Sequence, residues 1–309
     1  MSSVSATVAK ADNLKGMLWM AAYAAFISSM HVCIRLVSAD MHPFEIAFFR
    51  NLFALVVVVP WFWKLGVEPL RTKRLGLLVA RGTLNTFCML AYFTALSIGN
   101  LAEITALSFT APIYATIIGM FVFGERVGIR RWVAILIGFA GVLVILRPGF
   151  QTIGQSQILV LTSAFGWAAC MVMVKALGRT ESAITITTYM SLVMTPLSLV
   201  PALYHWTWPT PEQYAWLLLL GALGGLGQLM MTQALRLGET HVITPIDFLR
   251  LVFMSLLGFL ILDQVPDRFM WIGAMMIFSA VAFIAYREHV RRAAARAATN
   301  ARAGPGGGT

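Results

Sequence analysis

The sequence predicts an all-α integral membrane protein of ten transmembrane helices, arranged as two inverted five-helix repeats with both termini in the cytoplasm. Composition, the recurrence of long apolar runs and the placement of basic residues support this prediction. Of the 309 residues, 59% are hydrophobic and 12% are charged, whereas soluble domains carry about 25% charged residues. A surface of this composition must face lipid.

Long apolar runs follow one another along nearly the whole chain, which leaves no room for a separate soluble domain. A helix needs roughly 17 to 25 apolar residues to cross a hydrocarbon core of about 30 Å. Charged, proline and glycine residues divide the chain into spans at 17–37, 43–63, 75–98, 101–123, 131–146, 157–177, 184–204, 214–235, 241–262 and 269–286. Because the fifth span is short and its neighbours follow tight loops, nine or eleven spans stay open as alternatives.

The spans divide the chain into four segments. We expect a cytoplasmic N-terminal tail at 1–16, a first repeat at 17–147, a second repeat at 157–287 and a basic, glycine-rich tail at 288–309. The first span is too long for the core of a signal peptide, so it should remain in the mature protein. The last segment should be a frayed helical end followed by disorder.

Basic residues predict the orientation. When the loops are assigned to alternate sides, sixteen basic residues fall on one side, and only Arg147 and Arg268 fall on the other. Short loops rich in Lys and Arg stay in the cytoplasm. An even number of spans with both termini cytoplasmic satisfies this pattern.

An internal repeat links the two halves. Residues 95–105 read ALSIGNLAEIT and residues 234–244 read ALRLGETHVIT, with five of eleven positions identical at an offset of 139 residues. Since each repeat holds five spans, an odd number, the second must insert upside down relative to the first. Inverted repeats are typical of secondary transporters, because two such halves can open a central site alternately to each side. The chain has no G-x-x-x-x-G-K-[ST] loop for ATP, so a gradient or a partner subunit must drive transport.

Four blocks carry a family resemblance: PFEIAFFR at 43–50, TAPIYATIIGMFVFGERV at 110–127, WVAILIGFAGVLVILRPG at 132–149 and FLRLVFMSLLGFLILDQVPD at 248–267. Over roughly residues 15 to 288 their order resembles the drug/metabolite transporter superfamily, in its EamA-type ten-helix branch. The first block is most similar to the subset of S-adenosylmethionine and riboflavin carriers. The resemblance implies a central cavity and solute transport. The first half has the family's Gly124-Glu125 pair, and the second departs from it with Leu262-Asp263.

Charged residues inside spans are the first site candidates, because a charge at the bilayer centre costs about 2.5 to 3.5 kcal/mol on insertion scales. Asp247 and Arg250 are three residues apart near mid-membrane, hence on one helix face. They are predicted to bind the charged part of an amphipathic solute, with a purely structural pair as the alternative. Arg50 should face a partner or an anion of the solute. Arg35 and Glu45 flank the first outer loop at equal depth, which predicts a structural ion pair or a substrate gate.

Polar and aromatic residues in the spans complete the candidate site. Asn85, Tyr92, Trp167 and Gln228 could hydrogen-bond or stack on the solute, with helix packing as the alternative. Two prolines, Pro112 and Pro245, would interrupt backbone hydrogen bonds in the repeat-related helices 4 and 9 and are candidate hinges.

The sequence thus predicts a secondary transporter that moves a small amphipathic metabolite, similar to an amino acid, a nucleoside or a vitamin, across the bacterial cytoplasmic membrane by alternating access. A multidrug exporter or a lipid flippase on the same fold is the alternative. A membrane enzyme is disfavoured, because no metal-ligand spacing and no Ser/His/Asp set is present. We expect no cofactor, no metal and no nucleic acid; the partners are a small-molecule solute and the lipid bilayer, and a homodimer stays open.

Overall fold

The computed structural model describes residues 13–53, 72–123, 129–147, 153–177, 180–181, 183–237 and 244–302, and these are helical apart from short turns. The helices are α1 Asn13–Val37, α2 43–53, α3 Leu75–Ile98, α4 Leu101–Ser108, α5 Ala111–Phe123, α6 Ile129–Leu146, α7 Gln155–Leu177, α8 Ala183–Leu203, α9 Pro211–Leu237, a 3-10 helix Thr244–Phe248, α10 Leu249–Leu262 and α11 Arg268–Arg302.

Six helical stretches are long and apolar enough to cross a membrane: Leu14–Val37, Leu75–Ile98, Leu101–Val122, Gln155–Val174, Pro211–Met231 and Arg268–Arg287. Shorter apolar helices run over Trp132–Leu146 and Thr188–Leu203. Each stretch overlaps a predicted span, while positions 54–63 of the second span and 241–243 of the ninth lie outside the described residues. Large apolar side chains such as Phe87, Phe121 and Leu260 are exposed on the outside of the bundle, as lipid-facing helices require. The chain is a multi-pass membrane protein.

The predicted continuous helix at 101–123 is wrong in one respect, because it is broken into α4 and α5. The chain makes a turn at Phe109 and Thr110, whose backbone N–H groups donate to Ala106 and Leu107 carbonyl oxygens. Pro112 explains the break. It has no N–H to donate to the carbonyl four residues earlier, at Ser108, and its ring clashes with that carbonyl. The helix ends at Ser108 for this reason.

The last helix continues beyond the predicted tenth span. α11 runs to Arg302, into the segment where a helical end was expected ahead of the glycine-rich residues. Alanine and arginine, both strong helix formers, dominate this stretch of the sequence. Residues 303–309 lie outside the described part of the chain.

Several contacts between helices of the two halves have an equivalent contact elsewhere in the bundle, and the 139-residue offset relates the two. α1 packs along α9 and α3 packs along α7, while α5 contacts α7 and α10 contacts α1. In the first pair Ile27 lies against Gly227, and in the second Cys88 lies against Gly166. Adding 139 to 27 gives 166, and adding 139 to 88 gives 227, so the same two positions meet in both contacts. In each contact one of the two is a glycine, which lets the helices approach closely.

Phe109 and Phe248 lie at the centre of the bundle and are also 139 residues apart. Their rings stack with centroids 4.1 Å apart and planes 20° apart. Phe109 is the C-cap residue of α4 and Phe248 is the last residue of the 3-10 helix, so the breaks in the two related helices meet. This junction forms one wall of the site described next.

Candidate functional site

Six polar or ionisable side chains from four parts of the fold gather beside the Phe109–Phe248 stack. We call them the central polar cluster, and its members are Tyr23, His31, Arg50, Tyr92, Asp247 and Arg250. Tyr23 lies within electrostatic range of both arginines, of Asp247 and of Tyr92, and His31 lies within range of both arginines. The cluster therefore joins α1, α2 and α3 to the second broken helix.

Asp247 and Arg250 form the ion pair that their spacing predicted. Arg250 Nη2 lies 3.2 Å from Asp247 Oδ2, and the side chains are 15% and 24% exposed respectively. The Arg250 guanidinium also lies over the Phe109 ring, 4.7 Å from its centroid, an arrangement that stabilises a cation electrostatically. Ser28 on α1 donates to the Arg250 backbone carbonyl at 3.2 Å. The pair is thus fixed in place but keeps partial access to solvent.

Arg50 on α2 has neutral partners among the described residues. Its Nη1 donates to Asn51 Oδ1 at 3.1 Å and approaches Met89 Sδ at 3.9 Å. Asn51 in turn donates to Ser198 Oγ on α8 at 3.3 Å. The guanidinium is therefore held in one orientation without a carboxylate of the described chain to balance its charge.

Aromatic rings line one side of the cluster. The Tyr92 ring lies 5.3 Å from the His31 ring in an edge-to-face arrangement and 5.0 Å from the Trp167 ring. The Tyr92 hydroxyl lies beside Thr105 and Ser108, whose own hydroxyls already donate to backbone carbonyls. The structure thus brings the predicted residues Tyr92 and Trp167 together.

Unsatisfied polar atoms are concentrated in this cluster. Among the described side chains, nine buried nitrogen or oxygen atoms have no hydrogen-bond partner, and five of the nine belong to the cluster. These five are His31 Nδ1, Arg50 Nε, Tyr92 Oη, Asp247 Oδ1 and Arg250 Nε. Buried polar groups are nearly always hydrogen-bonded in proteins. A group of unpaired hydrogen-bond donors and acceptors in one place is suited to binding a polar ligand.

The predicted ion pair between Arg35 and Glu45 is not formed among the described side chains. Glu45 is fully buried, and its Oε1 accepts from the Thr207 backbone N–H at 2.6 Å, while the Thr207 hydroxyl contacts both carboxylate oxygens. An N–H and a hydroxyl satisfy the buried carboxylate, whereas Arg35 is partly exposed and can reach water. Glu45 therefore fastens the start of α2 to the segment after α8.

A pair of stacked histidines lies next to Glu45. The His42 and His205 rings are 3.9 Å apart and within 10° of parallel, and the Phe44 backbone N–H donates to His42 Nδ1 at 3.3 Å. Partial burial and the neighbouring His205 lower the pKa of His42, and Glu45 acts in the opposite direction. A neutral His42 caps the first turn of α2, because its Nδ1 must be unprotonated to accept this bond.

The remaining predicted residues lie away from the cluster or outside the described side chains. Asn85 is two turns along α3 from Tyr92, and its amide donates to Met194 Sδ at 3.0 Å. The side chains of Gln228 and Pro245 are outside the described part, although Pro245 is placed in the first turn of the 3-10 helix. Pro112 follows the break between α4 and α5. In the described ranges, no three His, Cys, Asp or Glu side chains lie together as a metal site.

The sequence prediction missed Tyr23, His31 and Phe109. Each is an aromatic residue within an apolar run, where packing is the ordinary role. The repeat offers a signal for Phe109, because the same offset aligns it with Phe248. No comparable signal distinguishes Tyr23 or His31.

A bundle of apolar helices around a buried, incompletely satisfied polar cluster defines a membrane protein that handles a small solute. The sequence matches the EamA-like transporter family twice, over residues 14–147 and 155–286. The chain therefore belongs to the EamA-like transporter family.

Two relatives illustrate this family. The chain is 28% identical over 273 residues to the S-adenosylmethionine uptake transporter of Rickettsia bellii, covering 88% of this chain and 94% of that protein. It is 32% identical over 281 residues to the riboflavin transporter of Vibrio cholerae, covering 89% and 94% respectively. One solved crystal structure shares the fold, with a TM-score of 0.61 and 17% identity over 88% of this chain and 98% of that one. The protein is a transporter of small metabolites rather than an enzyme.

Proposed function

We propose that this protein is a secondary transporter whose solute binds at the central polar cluster. The observation that carries the proposal is the concentration of unsatisfied buried atoms there, five of the nine in the described chain. Leaving a buried donor or acceptor unpaired costs about 1 to 3 kcal/mol. A solute that supplies the missing partners recovers this free energy, and the cluster stays open when the solute leaves.

The solute we propose is an amphipathic metabolite with a planar ring joined to a flexible polar chain. Relatives are named for S-adenosylmethionine and riboflavin, and both compounds have this form. The His31, Tyr92 and Trp167 rings offer surfaces on which a planar ring can pack, and the Asp247–Arg250 pair offers both a hydrogen-bond acceptor and donors. The names of these relatives favour a metabolite carrier over the multidrug exporter or lipid flippase.

The architecture we propose is ten membrane helices in two inverted repeats at 17–147 and 157–287. The Phe109–Phe248 stack and the paired glycine contacts at Gly166 and Gly227 support it, because in each case the residues that meet are related by the offset of 139. The sixteen-to-two asymmetry of basic residues places both termini in the cytoplasm of a bacterial inner membrane. A reporter fused at Thr309 that is active only in the periplasm would overturn this orientation. All six residues of the cluster come from one chain, and the homodimer that the sequence left open stays a prediction.

The test is uptake in reconstituted vesicles of a labelled panel that includes S-adenosylmethionine and riboflavin. We expect wild-type protein to transport at least one of them, and Arg250→Ala to reduce its uptake by about tenfold to a hundredfold, since charged hydrogen bonds contribute about 1.5 to 3 kcal/mol. Arg250→Lys should recover part of the activity, because lysine keeps the charge but not the planar donor geometry.

Arg147→Ala is the matched control. Arg147 also pairs with an aspartate, Asp267, at 2.6 Å, but it lies at the end of α6, away from the cluster. It should retain most uptake. If Arg250→Ala transports every solute of the panel at the wild-type rate, the site is wrong. If wild-type protein transports nothing in the panel, the proposed solute form is wrong.

A further inference from the structure

We propose that the Nε–Nη2 edge of Arg50 binds a carboxylate of the transported solute, so that the protein selects metabolites with a carboxylate over analogues that lack one. The proposal rests on the proposed function and names the chemistry of the solute that this site prefers. Charge balance, the orientation of Arg50 and the space in front of it support this proposal independently.

The charge balance favours an anion at Arg50 rather than at Arg250. Arg250 is neutralised by Asp247, whereas the described partners of Arg50 are the neutral Asn51 amide and the Met89 thioether. Four other carboxylates of the described chain are engaged elsewhere: Glu45 with Thr207, Glu103 with Gln157, Glu181 with Thr72 and Asp267 with Arg147. A buried cation without a counter-ion is costly, and a solute carboxylate removes that cost.

The orientation of Arg50 exposes the edge suited to a carboxylate. Asn51, itself held by Ser198, occupies Nη1. Nε has no hydrogen-bond partner, and no described residue accepts from Nη2. Two parallel N–H groups on one edge of a guanidinium match the two oxygens of a carboxylate. The free edge is thus the one that can bind a carboxylate in a bidentate manner.

Gly224 on α9 is the residue that lies beside this edge. A Cβ atom at position 224 would lie 3.5 Å from Arg50 Nε and 3.7 Å from Nη2, in the region that a carboxylate oxygen would enter. It would also lie 3.0 Å from Met30 Sδ, the flexible end of a side chain that can shift. Alanine at position 224 would thus narrow the approach to this edge without removing the charge of Arg50.

The two polar ends of the cluster suit a solute longer than an amino acid. At 1.5 Å per residue, Arg50 lies about 10 Å from the start of α2 and Arg250 about 18 Å from the end of α10. These two helix ends lie on the same predicted side of the membrane, so the Cα atoms of the two arginines differ in depth by roughly 8 Å. Tyr92 and Trp167 line the cluster. A carboxylate bound at Arg50 would thus direct the ring of a longer solute toward Tyr92 and its second polar group toward Asp247.

The test compares two compounds that differ only in a carboxylate, S-adenosylmethionine and decarboxylated S-adenosylmethionine, with riboflavin as a third probe without a carboxylate. Initial uptake rates are measured in vesicles for wild-type protein, Arg50→Gln and Gly224→Ala. We expect wild-type protein to prefer S-adenosylmethionine over its decarboxylated form by about tenfold or more, because one charged bidentate contact accounts for a difference in affinity of that size. Both variants should bring this ratio close to one.

Arg81→Gln is the matched control. Arg81 is another arginine whose Nε is buried and unpaired, but it lies on α3 with Nη1 directed at the Ile186 carbonyl, outside the cluster. It should leave the ratio unchanged. Thermal unfolding of each purified variant identifies those that fail to fold, and Arg50→Lys then replaces Arg50→Gln, with partial retention of the ratio expected.

Different outcomes overturn different claims. Equal wild-type uptake of the two adenosyl compounds overturns the carboxylate subsite, and so does an equal loss of both in Arg50→Gln. Uptake of riboflavin with neither adenosyl compound overturns the subsite and leaves the proposed function standing. Uptake of none of the three probes overturns the solute form given under the proposed function, and with it this subsite.

Discussion

At the scale of residues, the role of a charged side chain in a membrane span can be predicted because burying a charge there is costly. The role of a residue whose partner lies far away in the sequence cannot. Asp247 and Arg250 could be identified because intramembrane charges require a reason, and their spacing set their contact. Glu45 was assigned the wrong partner. Its acceptor role depends on Thr207, 162 residues away, and a single sequence gives no sign of such a contact. Tyr23 and His31 were missed because aromatic residues in apolar runs ordinarily pack.

His42 gives a prediction about pH. Burial and His205 lower the pKa of His42, so the closed arrangement of the histidine pair binds fewer protons than an open one. It is fully favoured above the ordinary histidine pKa of about 6.5 and weakens as the pH falls through that value. Protonation also removes the Nδ1 acceptor for the Phe44 N–H. We expect the start of α2 to open on acidification from pH 7.5 to 5.5.

Hydrogen exchange followed by mass spectrometry measures this opening in peptides covering 40–48 and 203–210, after correction for the intrinsic pH dependence of exchange. Wild-type protein should lose protection in both peptides at the lower pH. His42→Gln should show a much smaller difference between the two pH values, and His205→Gln an intermediate one. An unchanged response in His42→Gln would show that the histidine pair does not control this contact.

At the scale of helices, apolar length predicts where helices lie better than it predicts where they break. α3 begins and ends where its predicted span does, at Leu75 and Ile98. The break before Pro112 follows from the missing proline N–H, but the apolar pattern runs through it without change. Helix pairing was not predictable from the pattern, because lipid-facing and buried residues are equally apolar. Only the repeated register relates one contact to another.

The crossing of α6 and α11 gives a prediction about stability. A Cβ added at Gly141 would lie 2.7 Å from the Gly273 carbonyl oxygen, and one added at Gly273 would lie 2.5 Å from the Gly141 carbonyl oxygen. A backbone carbonyl cannot move aside without separating the helices. Gly141→Ala should therefore destabilise the protein by about 1 to 3 kcal/mol, the usual cost of overpacking.

Thermal unfolding in detergent measures this loss, with Gly76→Ala as the control. Gly76 is a helical glycine with no atom within 4 Å of an added Cβ. Alanine there should be neutral or stabilising by about 0.5 to 1 kcal/mol, because glycine is the poorer helix former. If the two variants unfold at the same temperature, the crossing is not closely packed.

At the scale of the whole molecule, several described polar contacts tie the two halves together where the predicted outer loops lie. Gln264 Oε1 accepts from the Leu101 N–H, the N-terminus of α4, at 2.9 Å. Glu103 accepts from Gln157 at 3.1 Å. Arg147 pairs with Asp267, and Glu45 binds Thr207. These residues lie where the predicted outer loops begin and end. Near the opposite end the Thr72 hydroxyl donates to Glu181 Oε1 at 2.8 Å, so polar contacts join the two halves at both ends of the bundle.

The last prediction concerns coupling to a proton gradient. A gradient-driven transporter must link solute binding to the binding of the coupling ion. Asp247 is the carboxylate of the central cluster, and its Oδ2 binds Arg250 while its Oδ1 lies open. Protonation of Asp247 would break its ion pair with Arg250. The solute would then contact a neutral carboxyl group and an unpaired guanidinium. Asp247→Asn cannot bind and release that proton, although it keeps the size and an oxygen that can accept from Arg250.

We therefore expect Asp247→Asn to abolish accumulation driven by an imposed proton gradient, while solute exchange at equal pH on both sides of the vesicle continues within about tenfold of wild type, the equivalent of about 1.4 kcal/mol. Asp267→Asn is the matched control, since Asp267 pairs with Arg147 away from the cluster, and it should accumulate solute normally. Loss of both exchange and accumulation in Asp247→Asn would make Asp247 part of solute binding alone. Normal accumulation would show that the coupling proton, if there is one, is carried by another group.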